Sequence, residues 1–576
     1  MSTPRIPSHS PCLERRLARL ALSAALASVL ATGGAGAAIA QSAAPDAAQA
    51  TPAAPAASAA SAEPGGVLLD VQRFEIVGAN PLSDSETAAA LAPHLGQHRA
   101  LGTLEAAAAA LEARLREGGY SFHRVIIPAQ KPADGVVKLE ILQFPLAALD
   151  VVGNQHFSAD NIRRSLPGLV SGSSPDVRAV SRDLGLANEH PSKRVSIVLK
   201  ESTKADALDA EIRVRDAAPE QFFASFTGAT PDAYDAINKA TGYTRLTFGY
   251  QNANLFDLDH ALTLSYTTSI EHPDRVKQFG AFYWIPLYGY ATSLQVYYTR
   301  SEVTTGAIGL GALSFDVSGK GEFMGARLIH SLPRFREITH NVSAALDDRY
   351  FDNNSAVTIG GTGVAATTAI RSRPLSLRYA ARYDQPWGGV GAHVEHAGNL
   401  AGGGANSGDD YARARTGANQ SWRAVRYGLD ASYALGAWGL SARLRGQHTD
   451  ALLIPGEQFG LGGVASVRGL REREFTGDRG YSMTLEAQGP PLVESVRPVL
   501  FFDQGSARLL GNSVPRGGVD QDSAASIGVG ARWNWERRLD VSVDLAYVLN
   551  GISTVGTTTG TAAGDSKLMF SLFYRF

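Results

Sequence analysis

Residues 567–576, "KLMFSLFYRF", decide how the chain is read. Leu568, Phe570, Leu572, Tyr574 and Phe576 share one face of an extended strand, and Lys567, Ser571 and Arg575 share the other, because successive strand side chains point to opposite sides. The two segments before it repeat the pattern. In 539–550, Val541, Val543, Leu545 and Tyr547 oppose Asp540, Ser542, Asp544 and Ala546; in 524–535, Ile527, Val529, Ala531, Trp533 and Trp535 oppose Gly528, Gly530, Arg532 and Asn534. A soluble sandwich also alternates, with its apolar face inward. Segment length and the rhythm of the gaps separate the two. The segments run to about 9–12 residues, the length of tilted membrane-crossing strands. Roughly sixteen fit between 219 and 576, an even number as in bacterial outer-membrane barrels. Breaks at 255–259, 288–290, 335–337, 434–437 and 536–538 are tight. Those at 230–243, 303–318, 351–374, 401–421, 450–479, 510–523 and 551–566 are long, with 271–276 a short member of that set. Short turns at one rim and long loops at the other are the asymmetry of a transmembrane barrel.

Closure follows from the solvent. Hydrocarbon offers no partner to an unpaired backbone N–H or C=O, so a sheet crosses a bilayer only when it has no edge. About sixteen strands enclose a lumen wide enough for water or an extended peptide. Arg443, Arg445 and Gln447 on one strand, and Thr484, Glu486 and Gln488 on the next, are expected to face it. Trp284, Tyr288, Trp387 and Trp438 lie near strand ends and are expected in the interfacial girdles.

The N-terminal part reads differently. Arg15, Arg16 and Arg19 precede an apolar run, Leu20 to Leu30, that is too short to span a bilayer. Ala38-Ile39-Ala40 is a small-x-small site, so 1–40 reads as an export signal cleaved before Gln41; an N-terminal anchor is the alternative. The single cysteine, Cys12, would leave with the signal. Residues 41–66, rich in alanine, proline and serine, read as a periplasmic linker.

Residues 67–145 and 146–218 read as two small α+β modules with one element order, strand–helix–helix–strand–strand. In the first, a strand over Val71–Val77 is followed by a helix from Ser83 to near His94, and a second helix from Thr103 to Glu117 stops at Gly118-Gly119. The strands "HRVIIPAQ" and "VVKLEILQF" complete it. The second repeats the order, with helices near 158–166 and 175–189 and strands "RVSIVLKES" and "ALDAEIRVRDA". Both first strands, "RFEIVGAN" and "ALDVVGNQ", end in Val-Gly, where glycine permits the turn.

Three stretches carry a family resemblance. "GYSFHRVIIPAQKPADGVVKLEIL" (119–142) is similar to the end of a first POTRA module; "FGLGGVASVRGL" (459–470) resembles a Val-Arg-Gly-aromatic signature on a sixth surface loop; "FFDQGSA" (501–507) resembles a Phe-x-Asp-x-Gly strand. Together and in this order they resemble the outer-membrane transporters of two-partner secretion, the haemolysin activation/secretion proteins. The resemblance covers about 70–576. It implies that loop 450–479 folds back into the barrel and that Arg468 meets Asp503 on the inner wall. Val467, Arg468, Gly469, Leu470, Phe501, Asp503 and Gly505 would then anchor the loop and gate the pore. The residues permit this: Asp503 shares a face with Phe501 and Gly505, and Gly505 leaves room for a close approach. Leu470 departs from the family's aromatic, which puts the aromatic contact in doubt but not the charge pair. Phe576 would be the terminal residue of the barrel.

The resemblance also implies the partners: a large β-helical exoprotein with an N-terminal secretion domain, outer-membrane lipid, and the barrel-assembly machinery during biogenesis. An unfolded substrate can add as a strand to an open sheet edge. The candidate edges carry Val125, Ile126 and Ile127 in the first module and Val195, Ile197 and Val198 in the second. An assembly factor of the same superfamily is the alternative, although such factors commonly carry more than two modules. A passive porin has no need of the modules.

Other chemistry is not expected. A net charge of −2 is unlike a nucleic-acid binder. His393, Glu395 and His396 look like a metal cluster, but on a strand His396 faces away from the other two. "GVGARW" lacks the strand-to-helix context of a dinucleotide site. No cofactor, metal or enzymatic activity is expected.

Overall fold

Ser83 closes a capping box with Glu86, and Ser158 and Asp176 cap two further helices through side-chain oxygens. These caps satisfy amides that a helix start leaves unpaired. They fix the starts of three of the four module helices. The computed structural model describes residues 69–98, 102–130, 134–231, 241–302, 306–310, 313–317, 320–359, 362–493, 495–511, 520–536, 538–553 and 559–576. The export signal at 1–40 and the linker at 41–66 lie outside these.

The first module comprises β1 (Leu69–Val71), β2 (Arg73–Gly78), α1 (Asp84–Leu91), β3 (Gly96–His98), α2 (Gly102–Gly118), β4 (His123–Ile126) and β5 (Val136–Gln143). The second comprises β6 (Leu146–Val152), α3 (Ala159–Arg164), α4 (Val177–Ala187), β7 (Lys193–Glu201) and β8 (Leu208–Asp216). Each sheet is mixed. The first strand lies parallel to the last, and the last runs antiparallel to the middle one, giving the orders β2-β5-β4 and β6-β8-β7. The expected first strand is two pieces: β1 leaves the sheet to pair with β3. The repeated Val-Gly has one cause in both modules. Gly78 and Gly153 have φ of +93° and +85°, and a Cβ at either would stand 2.5 Å from the carbonyl oxygen of Ile141 or Val214 on the neighbouring strand. Each module has its own apolar core, around Leu111, Leu115 and Leu139 in the first and Ile162, Leu166 and Ile212 in the second.

Sixteen antiparallel strands then close a barrel. In chain order they are β9 (Glu220–Ala229), β10 (Thr244–Leu255), β11 (His260–Thr268), β12 (Gln278–Leu287), β13 (Thr292–Ser301), β14 (Gly321–Ser331), β15 (Ile338–Ile359), β16 (Thr362–Ser372 continued by Pro374–Gln385), β17 (Gly388–Asn399), β18 (Arg423–Leu435), β19 (Trp438–His448), β20 (Arg479–Gln488), β21 (Val496–Arg508), β22 (Gln521–Trp535), β23 (Leu539–Asn550) and β24 (Ser566–Arg575). A short helix, α5 (Gly408–Ala414), lies between β17 and β18. β24 pairs with β9 from Met569–Ala229 to Arg575–Phe223 and closes the cylinder. Phe576 extends that seam with an amide bonded to the Phe222 carbonyl.

The alternation matches the expectation. Leu500, Ile527, Val529, Trp533, Trp535, Val543, Leu545 and Tyr547 are exposed on the outer face, while Val499, Phe501, Asp503 and Ala507 are buried within. An apolar outside and a packed polar inside suit hydrocarbon without and protein or water within. Two expected loops are hairpins: in 303–318 the strands Gly306–Leu310 and Leu313–Val317 pair antiparallel, and 351–374 is mostly a hairpin, because β15 runs on to Ile359 and the chain returns from Thr362 in register. The β-branched residues of "SAVTI" and "TGVAATT" favour that extension. Trp387 and Trp438 stand exposed at the short-turn rim, as a girdle requires. Trp284 and Tyr288 do not: Trp284 packs inward beside Leu186 of the second module, and the Tyr288 hydroxyl donates to Asp259.

Candidate functional site

Loop 450–479 enters the barrel because its apolar residues find an apolar wall. Leu461, Val467 and Leu470 bury against Ala507, Ala524 and Val548 of β21, β22 and β23. Leu470 is 2% exposed. The position expected to need an aromatic is filled by an aliphatic side chain within this cluster. Gly469 has φ +96°, and a Cβ there would lie 3.0 Å from Val548. At Gly505 a Cβ would come within 2.3 Å of Leu461; the expected close approach is made by that leucine.

This packing delivers Arg468 to the inner wall. Its Nε donates to Asp503 Oδ2 at 2.7 Å, one terminal nitrogen to Asp503 Oδ1 at 3.0 Å, and its backbone amide to Asp503 Oδ2 at 3.1 Å. The pair is bidentate, a geometry that fixes direction as well as distance. The guanidinium lies over the Phe501 ring, 3.5 Å from its centroid, so strand β21 supplies the aromatic contact. Two more carboxylates attend the same arginine: Glu486 at 3.2 Å and Asp544 at 3.5 Å. Arg532 joins them, 2.7 Å from Asp544 and 3.6 Å from Glu486. Glu486 was readable as an inward residue of β20. Asp544 and Arg532 were readable only as the polar faces of their strands, because meeting Arg468 depends on the barrel's register.

The wall on the other side of β20 holds the start of the loop. The Glu457 side chain is fully buried and bonds Arg349 of β15 at 3.0 Å and Arg426 of β18 at 2.9 Å. Gln447 donates to its carbonyl oxygen at 3.1 Å. The tip is tied as well: Glu474 accepts from the backbone and hydroxyl of Thr561 at 2.6 and 2.7 Å. The loop thus bridges the lumen, with a remaining cavity of about 500 Å³ lined by Arg327, Arg378, His393 and Glu395. His396 lies on the opposite face of that strand.

In the modules, both expected edges are edge strands, β4 and β7. They are not equally open. Glu112 accepts from the Val125 amide at 3.3 Å, which occupies the middle of the four-residue β4. Ile127 lies beyond β4 and packs on the module core. In β7, the Asn188 side chain takes both backbone groups of Val195, at 2.7 and 2.9 Å. With the two-residue period of a ladder, the next outward-facing backbone groups on that edge belong to Ile197 and Leu199. Val198 points its backbone groups toward β8.

The start of β7 is set into the barrel. The Lys193 ammonium, fully buried, lies 2.5 Å from Asp259 and 2.9 Å from Asn161. Asn161 also donates to Asn254 at 3.1 Å and to the Asp257 carbonyl at 3.0 Å in the β10–β11 turn. Burial lowers the Lys193 pKa, and Asp259 opposes that fall. His190 is fully buried beside this pair; its Nε2 donates to the Ala253 carbonyl at 2.6 Å and its Nδ1 accepts from the Ser192 amide at 3.2 Å. Both ring nitrogens are satisfied only in the neutral form, and burial brings the pKa from 6.5 to about 4. Sequence reasoning missed this joint, because a lone Lys and His ahead of a strand carry no local signal.

A lipid-facing barrel crossed by its own loop and preceded by two small α+β modules defines an outer-membrane transporter with periplasmic modules. The sequence matches the family described as haemolysin secretion/activation protein ShlB/FhaC/HecB over residues 232–533, and the ShlB-type POTRA domain over residues 69–143. The chain belongs to that family, and is an outer-membrane transporter of two-partner secretion. No curated protein sequence matches it significantly. Among solved structures it is similar to CdiB from Escherichia coli, 17% identical, with TM-score 0.66 over 91% of this chain and 93% of that one. It is also similar to CdiB from Acinetobacter baumannii, 15% identical, with TM-score 0.62 over 88% of this chain and 90% of that one. At this identity the likeness is one of fold.

Proposed function

We propose that the two modules receive an unfolded exoprotein and pass it into the barrel, and that loop 450–479 gates the passage through Arg468. The exoprotein adds as a strand to the β7 edge at Ile197 and Leu199, gaining main-chain hydrogen bonds with little demand on sequence. The first module contributes its apolar surface near Ile126 and Ile127. The substrate is a large β-helical protein such as an adhesin or cytolysin, exported unfolded. Its folding outside the cell would draw the chain through. Asp503 holds Arg468 at rest, and Glu486 and Asp544 give the departing guanidinium other acceptors. In biogenesis the barrel is inserted by the assembly machinery into outer-membrane lipid.

The observation that carries this reading is the loop folded into the lumen, with Arg468 held on Asp503. Leu199→Pro removes one outward amide from β7 and leaves the β7–β8 ladder intact. Secretion of the partner exoprotein should fall sharply while the barrel remains inserted and heat-modifiable on gels. Undiminished secretion would overturn the receiving role of β7.

A further inference from the structure

Asp478 ends the in-folded loop, one residue before β20. Its side chain is fully buried, and the facing Arg415 side chain is 9% exposed. The two carboxylate oxygens accept from both terminal nitrogens of Arg415, at 2.5 and 2.9 Å. The same carboxylate accepts from the backbone amide of Leu453 at 2.8 Å and of Leu510 at 2.7 Å. The guanidinium answers in kind. It donates to the carbonyl of Leu453 at 2.7 Å and of Leu510 at 3.1 Å. One ion pair therefore satisfies both backbone groups of two residues that do not touch each other through a sheet. Its members come from three different segments: Arg415 from 400–422, Leu453 and Asp478 from the two stems of 450–479, and Leu510 from 509–511, which follows β21.

The position matters as much as the chemistry. Arg468 and Glu457 hold the loop to the walls, whereas this pair holds the loop's two stems to each other and to both neighbours. A buried pair of this kind contributes little net stability when intact but is costly to leave half-made. Leu453 is buried and Leu510 half-buried, and their two amides would lose a charged acceptor together. Three loops joined at one point of that sort separate together.

We propose that Arg415 and Asp478 are positioning residues for transport: they form a second fastening that makes the three exit loops one body, so that loop 450–479 leaves its resting place only with its neighbours. The proposal rests on the reading that this loop moves during secretion. Its structural half stands without it.

The test is hydrogen exchange by mass spectrometry on the purified, detergent-solubilised protein, with heat-modifiability as the check of folding. Asp478→Asn should speed exchange together in 400–422, 450–479 and 509–511, by at least about tenfold at the Leu453 and Leu510 amides, as the loss of a charged acceptor implies. Arg468→Ala should speed exchange within 461–470 alone. If Asp478→Asn affects only 450–479, or if Arg468→Ala loosens all three loops equally, the shared fastening is wrong. Arg415→Gln, which keeps the carboxylate, serves should Asp478→Asn fail to fold, and should loosen 400–422 and 509–511 together. Secretion of the partner protein is measured in parallel. Joint loosening with unchanged secretion would refute the movement reading and leave the fastening in place; separate loosening refutes the fastening whatever secretion does.

Discussion

The barrel rim and the barrel lumen each bury a cation, and they do so differently. Lys193 at the rim has one carboxylate, Asp259, with Asn161 as its other hydrogen-bond partner and the rings of Phe157 and Tyr288 nearby. Arg468 in the lumen has three carboxylates within 3.5 Å and a second arginine sharing two of them. A compact ammonium bonded to one carboxylate has no second counter-charge to move to. Pulling it out exposes two charges to a dry interior at once. A planar guanidinium among several acceptors can exchange one for another and keep a counter-charge throughout. The first arrangement suits a fixed joint between the second module and the wall. The second suits a fastening that is released and remade.

Substitutions can break or sharpen that contrast. Lys193→Met should have the largest effect: it strands Asp259 and should cost about 3–5 kcal/mol, as for a buried pair that loses one partner. Chemical denaturation of the refolded protein reads the loss, and Lys193→Met with Asp259→Leu should recover most of it. A loss below about 1 kcal/mol would mean that the joint is wetter than its burial implies. Asp503→Asn should cost less, about 1.5–3 kcal/mol, as for hydrogen bonds to a charged group, because Glu486 and Asp544 remain. If it costs as much as Lys193→Met, the spare carboxylates are not acting as alternatives.

The rim should also respond to acid where the lumen's arginine cannot. His190 is held at about 4 by burial, against 6.5 when free, with Asp259 raising it and Lys193 lowering it less strongly. The unfolded chain takes up a proton between those values and the folded joint does not. Stability should therefore fall as pH drops from about 6.5 to about 4 and level off below. At pH 5 the loss is on the order of 2 kcal/mol. Denaturation midpoints across that window test it; His190→Gln should remove this component of the slope, and an unchanged slope would assign it elsewhere. The smallest change is expected at Leu470→Phe. The site is packed and aliphatic, so the added volume should cost about 1–3 kcal/mol at most if the wall cannot adjust, and close to nothing if the cluster was shaped for the family's aromatic. Thermal unfolding of the detergent-solubilised barrel distinguishes these.

Much of this was legible before any coordinates. The period-two faces of 524–576, together with segment length and the alternation of tight and long gaps, pointed to lipid outside. The face shared by Phe501, Asp503 and Gly505 was readable too, and the resemblance supplied Arg468 as its partner. The loop expected at 351–374 was misread because polar and small residues at a rim can extend a hairpin as readily as they form a loop. Trp284 was misread because an aromatic near a strand end satisfies a lipid interface and a protein interface equally.

The sequence by itself determined the repeated module and the closed barrel, because each depends on local periodicity; the arginine–aspartate anchor came with the family resemblance of two short motifs. Only the tertiary structure decided which carboxylates surround Arg468, that Lys193 is buried against Asp259, and that Arg415 and Asp478 tie three loops together. Those contacts join residues 18 to 95 positions apart in sequence for the lumen and exit sites, and 66 apart at the rim. No pattern along the chain encodes such a distance; it is set by the register in which the strands close and by which loop the lumen has room to admit.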